Sequence, residues 1–191
     1  MTAEETRAQE RARAYFRSKA GLTPATVREQ IAAAFDSLDA VLAEVPAGRA
    51  PLRTLTGEWS VQEVVDHLLE TYRPGVDELR CLLAGRRPPG DPIPAGLQSK
   101  APLLRPWPWL LAELQRVHRS VLDLVGGVPA DFATGARAPI VMVVNVPGPD
   151  GGVRPLHWVA DIEWKAYALV SWRLHAIDHL NQTRKVLAAG R

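Results

Sequence analysis

The chain has 191 residues, 47% of them hydrophobic, and a net charge of +2 from 23 Lys and Arg set against 21 Asp and Glu. That length suits one domain over residues 1–191 with a substantial core. The basic residues are spread along the chain, so there is no electrostatic footprint for nucleic acid, and no apolar run approaches the length needed to cross a membrane.

The N-terminus, MTAEETRAQERARAYF, is a mixed-charge helical stretch and not a leader, so a cytoplasmic location is expected. Residues 2–19 read as a polar helix anchored by Tyr15 and Phe16, ending near Gly21: an N-terminal extension, residues 1–21, on the outside of the main body. Thr23-Pro24 then starts a helix, with an N-cap hydroxyl followed by proline at the first helical position. Val27, Ile31, Phe35, Leu38 and Leu42 recur at steps of three and four along it, and Pro46 and Gly48 close it.

Ser60 and Glu63 form a capping box for the next helix. Its stripe is Val61, Val64, Val65, Leu68, Tyr72, Val76, Leu79 and Leu83, with a kink expected near Pro74. The lone cysteine, Cys81, sits in an apolar run of this helix and reads as a small buried core residue; it excludes an intramolecular disulfide. Residues 86–108 are dense in proline and glycine, which excludes a long regular element. A rigid crossover between parallel helices is the first reading of that segment, and a substrate lid the second.

A further core helix is expected from Pro108 to Val125, ended by Gly126-Gly127, with His118 beside its stripe as a structural or exposed residue. Residues 139–159 combine a β-branched run, a Pro-Gly-Pro-Asp-Gly-Gly turn and a second short run, which predicts a β-hairpin carrying His157. The last helix is expected over Ala160–Ala189, apolar over a wide arc and therefore buried. Four long core helices joined by two long crossings predict an all-α bundle in which some neighbours run parallel.

The chemistry concentrates in three histidines. His175 and His179 are spaced i, i+4, so both imidazoles leave one face of the last helix, while His67 borders the stripe of another helix. Two imidazoles from one helix and a third from a second can hold a divalent metal with a position left open. The pair alone is better explained by hydrogen-bonded core histidines; the third residue brings the metal reading toward parity with that one. Ala176 stands where the zinc-protease HExxH helix has its glutamate, which disfavours peptide hydrolysis by that route. Glu63, one turn before His67, is a weak candidate for a proton acceptor, although the capping role suits it better. Ser171, Trp164, Trp172 and Gln182 share the arc of His175 and His179 and are candidate pocket residues.

The segments GEWSVQEVVDHLLE (57–70) and LHAIDHLNQ (174–182) resemble the signatures of the DinB/YfiT-like superfamily, and the order of elements fits from Thr23 onward. The resemblance implies a four-helix bundle in up-down-down-up order, carrying here the N-terminal extension and a small β-hairpin insertion. It implies three histidine ligands, matched by His67, His175 and His179, to a divalent metal, commonly nickel or zinc, with Gln182 as the trailing glutamine. Asp178 stands where many members have a further histidine, which alters the surroundings of the metal. The resemblance also implies a homodimer, and a low-molecular-weight thiol as co-substrate in the members that are thiol S-transferases. A transferase joining a small thiol to an electrophile is therefore one expectation. A metal-dependent hydrolase and a non-catalytic, stress-associated metal- or ligand-binding protein are the alternatives.

Overall fold

Each helix begins where its side-chain chemistry permits. In the computed structural model, which describes residues 1–148 and 151–190, α1 (Ala3–Lys19) starts at a capping box formed by Thr2 and Glu5. Helix α2 (Pro24–Ala43) starts at Thr23, whose hydroxyl accepts from the Thr26 N–H. Helix α3 (Val61–Leu83) starts at the Ser60–Glu63 capping box and continues through Pro74. Helix α4 (Trp107–Gly126) follows the proline-rich crossover. Strands β1 (Arg137–Pro147) and β2 (Val153–Glu163) pair antiparallel, with Val143 opposite His157 and Arg137 opposite Glu163. Of the predicted hairpin turn, Pro149 and Asp150 lie outside the described residues. Helix α5 (Trp164–Ala168), a π-helical turn over Leu169–Leu174, and α6 (His175–Ala189) complete a mostly helical molecule with one hairpin.

Helices α2 and α3 each pack against both α4 and α6. Their stripes bury Ile31, Phe35, Leu38, Leu68, Leu79, Leu114 and Val121 in one cluster, joined by Tyr167 and Trp172 from the last segment. Fully burying side chains of this size contributes about 1.5–3 kcal/mol each. Among the described residues no helix is long and apolar enough to cross a membrane.

Three expectations are corrected. The final helix begins at Trp164, not Ala160. Residues Ala160–Glu163 continue the β2 ladder opposite Arg137–Ile140, and the helix starts only where the Glu163 carboxylate can accept from the Lys165 and Ala166 N–H groups, both at 2.9 Å. Cys81 is only half-buried, because its helix turns that side partly outward. On α1 the buried residue is Ala8, with Phe16 only partly covered. The extension is fastened instead to the hairpin by the Glu5–Arg154 ion pair and to α5 by Lys165 Nζ, which donates to the Ala20 carbonyl.

Glu63 shows how the start of α3 is fixed. Its carboxylate accepts from the Ser60 N–H and hydroxyl, both at 2.9 Å, and from the Arg53 guanidinium. The Arg53 hydrogen bond, followed by those of Ser60, outweighs burial and holds the carboxyl down at about 2. A carboxyl depressed from 4.5 stabilises the fold above that pH and loses its contribution as pH falls through about 2. Glu63→Gln should therefore cost about 1 kcal/mol at neutral pH, since Arg53 is largely exposed. In denaturant titrations the gap from wild type should close between pH 4.5 and about 2. A gap independent of pH would contradict the assignment.

Candidate metal centre

His67 lies nearly two turns inside α3, on the side that faces the last helical segment, and is 1% exposed. Its Nδ1 is 2.7 Å from the Leu97 carbonyl in the crossover. A carbonyl only accepts, so Nδ1 carries the proton and Nε2 presents a bare lone pair. His179, on α6, is fixed in the same way by a longer chain. Gln182 Nε2 donates to the Glu58 carboxylate at 3.1 Å, so Gln182 Oε1 faces His179 Nδ1 at 2.8 Å and accepts from it. Lys185 holds the other Glu58 oxygen at 2.6 Å.

His175 depends on the π-helical turn. Its backbone N–H goes to Val170 and Trp172 rather than to Ser171. His175 Nε2 faces His67 Nε2 at 2.9 Å. All three imidazoles thus turn Nε2 toward a common point. Their ring centroids are 4.7–5.0 Å apart, and their candidate ligand atoms lie within 4.8 Å of one another. Trp59 walls this point, stacked on His179 with a 10° interplanar angle and tilted over His67 at 4.9 Å.

Burial is the largest influence on all three rings. It holds His67 below its ordinary value and His175 well below, and with the neighbouring His67 it brings His179 down to about 4. The neutral form, the one that ligates metals, therefore prevails at neutral pH. Among the described residues no further His, Cys, Asp or Glu joins the group.

A cavity of about 830 Å³ opens beside the triad, between the hairpin and the segments around α3 and α6. His175, His179, Ser171 and Asp178 line it, as does the crossover at Ile93–Gly96. The crossover is therefore both a connection and a cavity wall. It is anchored by Asp66, whose carboxylate accepts from the Ser99 N–H at 2.8 Å, the Ser99 hydroxyl at 2.7 Å and Arg105 at 3.2 Å. Gln62 adds bonds to the Pro102 and Arg105 carbonyls.

The other candidates separate clearly. Trp164 does not reach the cavity; it is buried against Phe132, because the π turn shifts the helical register between it and His175. Trp172 packs in the core against Tyr167. Glu63 is held in its cap, away from the cavity lining. His157 lines the cavity from β2 but stays outside the triad, and His118 is buried, stacked on Phe35 and bonded to Asp39 at 3.1 Å. Sequence reasoning missed Glu58, Trp59 and the Leu97 carbonyl. Glu58 and Trp59 sit within the segment that carries the family resemblance; the carbonyl leaves no trace in residue type.

Comparison with known proteins agrees with this architecture. The sequence model of the DinB superfamily matches residues 30–162, a stretch that includes His67 and stops short of His175 and His179. The crystal structure of an uncharacterised protein from Escherichia coli UTI89 is similar in fold, with a TM-score of 0.60 at 16% identity over 88% of this chain and 94% of that one. No curated protein matches the chain.

Proposed function

This chain belongs to the DinB superfamily, and on that footing we propose that it is a metal-dependent enzyme, a thiol S-transferase acting on small electrophiles, with His67, His175 and His179 holding a divalent nickel or zinc ion. The observation that carries the metal is the 2.9 Å approach of two Nε2 atoms. Leu97 places the His67 proton on Nδ1, so a bare Nε2 lone pair meets the second ring nitrogen in a buried site, an arrangement that suits a cation between them. Three neutral imidazoles fit a borderline divalent ion and leave its charge undiminished. The reading includes the up-down-down-up order of four core helices, which the packing of α2 and α3 against both α4 and α6 supports.

When bound, such an ion supplies Lewis acidity, making a thiol or water a better nucleophile at neutral pH. The protein does the rest. Leu97 and Gln182 fix the orientations of His67 and His179, Trp59 shields one side, and the cavity gives a small substrate access to the other. In the proposed reaction the thiol sulfur bonds to an electrophilic carbon, the leaving group departs with its electron pair, and the thiol proton passes to solvent. The absence of a fourth protein ligand among the described residues favours an enzyme over a closed structural site.

Thiol-consumption assays on nickel- and zinc-loaded protein, with several low-molecular-weight thiols and a model electrophile, test the transferase. Turnover lost in His175→Ala supports it, and no turnover with any thiol contradicts it. A hydrolase is the second reading, carried by Asp178, a carboxylate on the same cavity wall; ester and amide substrates in the same assay separate the two.

Gln182→Leu should lower metal affinity about 10–100-fold, because His179 Nδ1 loses its acceptor and the ring its fixed tautomer. Competition with a chromophoric chelator measures this. Unchanged affinity would mean that the Glu58–Gln182–His179 chain does not position the ligand.

A further inference from the structure

The cavity beside the triad has a second polar end. Glu78, on α3, and Tyr167, on α5, both line it. The Tyr167 hydroxyl donates to Glu78 Oε2 at 2.5 Å, so one carboxylate oxygen is oriented and the other has no hydrogen-bond partner among the described residues. No Lys or Arg lines the cavity, and none is paired with Glu78 among the described residues. The rest of the lining is mainly apolar, with Ile93, Ile140, Val170 and Leu174 among it. Glu78 follows His67 by eleven positions and Tyr167 precedes His175 by eight. At about 1.5 Å per residue, the carboxylate end stands roughly 12–16 Å from the triad.

We infer that Glu78, oriented by Tyr167, is a specificity determinant that selects ligands carrying an ammonium group, held at the far end of an apolar chain whose other end reaches the triad. Charge complementarity carries the inference. A partly buried carboxylate without a cationic partner is poorly compensated, and burial raises its carboxyl above the ordinary value. An incoming ammonium supplies the missing charge, and its three N–H donors can reach the free oxygen of Glu78. A carboxylate-tailed ligand meets repulsion there, with no guanidinium or ammonium to offset it. The inference deepens the proposed function by naming the substrate's far end; it rests on that reading only in treating the occupant as a substrate, since Glu78 and Tyr167 act without the metal.

The probes are n-octylammonium, octanoate and octan-1-ol, with binding measured by calorimetry on the full chain, metal-free and zinc-loaded. Octylammonium should bind about tenfold more tightly than octan-1-ol, and octanoate more weakly than either. Glu78→Gln should bring octylammonium to the level of the alcohol, and Tyr167→Phe should produce part of that loss. Equal binding of the three probes to wild type, or a preference that survives in Glu78→Gln, overturns the inference. Should Glu78→Gln fail to fold, the order of the three probes on wild type still decides. An ammonium preference in protein that takes up no zinc would leave this inference standing and remove the metal reading. Zinc binding without the preference would do the reverse.

Discussion

Replacing His175 by alanine is expected to lower divalent-metal affinity by at least about 100-fold while leaving the helical fold intact. The ring is one of the three proposed donors, with its Nε2 2.9 Å from that of His67. A second measurement makes the result specific. Metal in 100-fold excess over its dissociation constant should stabilise the wild type by about 2.7 kcal/mol, and should stabilise His175→Ala far less. Without metal the variant should be little less stable than the wild type, because removing the ring also relieves the close approach of two buried ring nitrogens. Equal metal-induced shifts in melting temperature for both proteins would contradict the role given to His175.

The second large effect lies outside the triad. Asp66→Ala should destabilise the protein by about 3 kcal/mol, since it leaves the Ser99 N–H and hydroxyl without their acceptor and removes one of the two carboxylates paired with Arg105. Asp66 is fully buried and adjoins His67, so the loss is also local. The crossover that carries the Leu97 carbonyl would keep only its Gln62, Gln98 and Arg105–Glu70 links to α3, and the His67 ring would be held less firmly. Denaturant midpoints measure the stability, and limited proteolysis between residues 86 and 106 measures the loosening. A protein with unchanged stability and an uncleaved crossover would show that Asp66 is not the anchor. Asp66→Asn, which keeps one acceptor oxygen, should lie between wild type and alanine.

How much could be read in advance follows from where each interaction is encoded. Thr23-Pro24 and Ser60–Glu63 announced their helix starts because caps are formed by side chains within a few residues of one another. His67, His175 and His179 could be grouped because helical spacing and stripe position set the direction in which each points. The π turn over Leu169–Leu174 could not be read, since no residue type in LVSWRL compels it. That turn takes Trp164 off the arc shared by His175 and His179, so the error over Trp164 has a definite cause. Ala160–Glu163 read as helix because the alternative, a ladder with Arg137–Ile140, is a contact between distant segments. The Leu97 carbonyl, which sets the tautomer of His67, is backbone and could not be seen in composition or spacing.

X-ray absorption at the metal edge of wild-type protein, loaded with zinc and freed of excess, tests the central claim most directly. The account predicts about one ion per chain, surrounded by three imidazole nitrogens at about 2.0–2.1 Å, with a further position filled from solvent or an added thiol. Protein that retains no metal after loading, or an ion coordinated without imidazole, would contradict it.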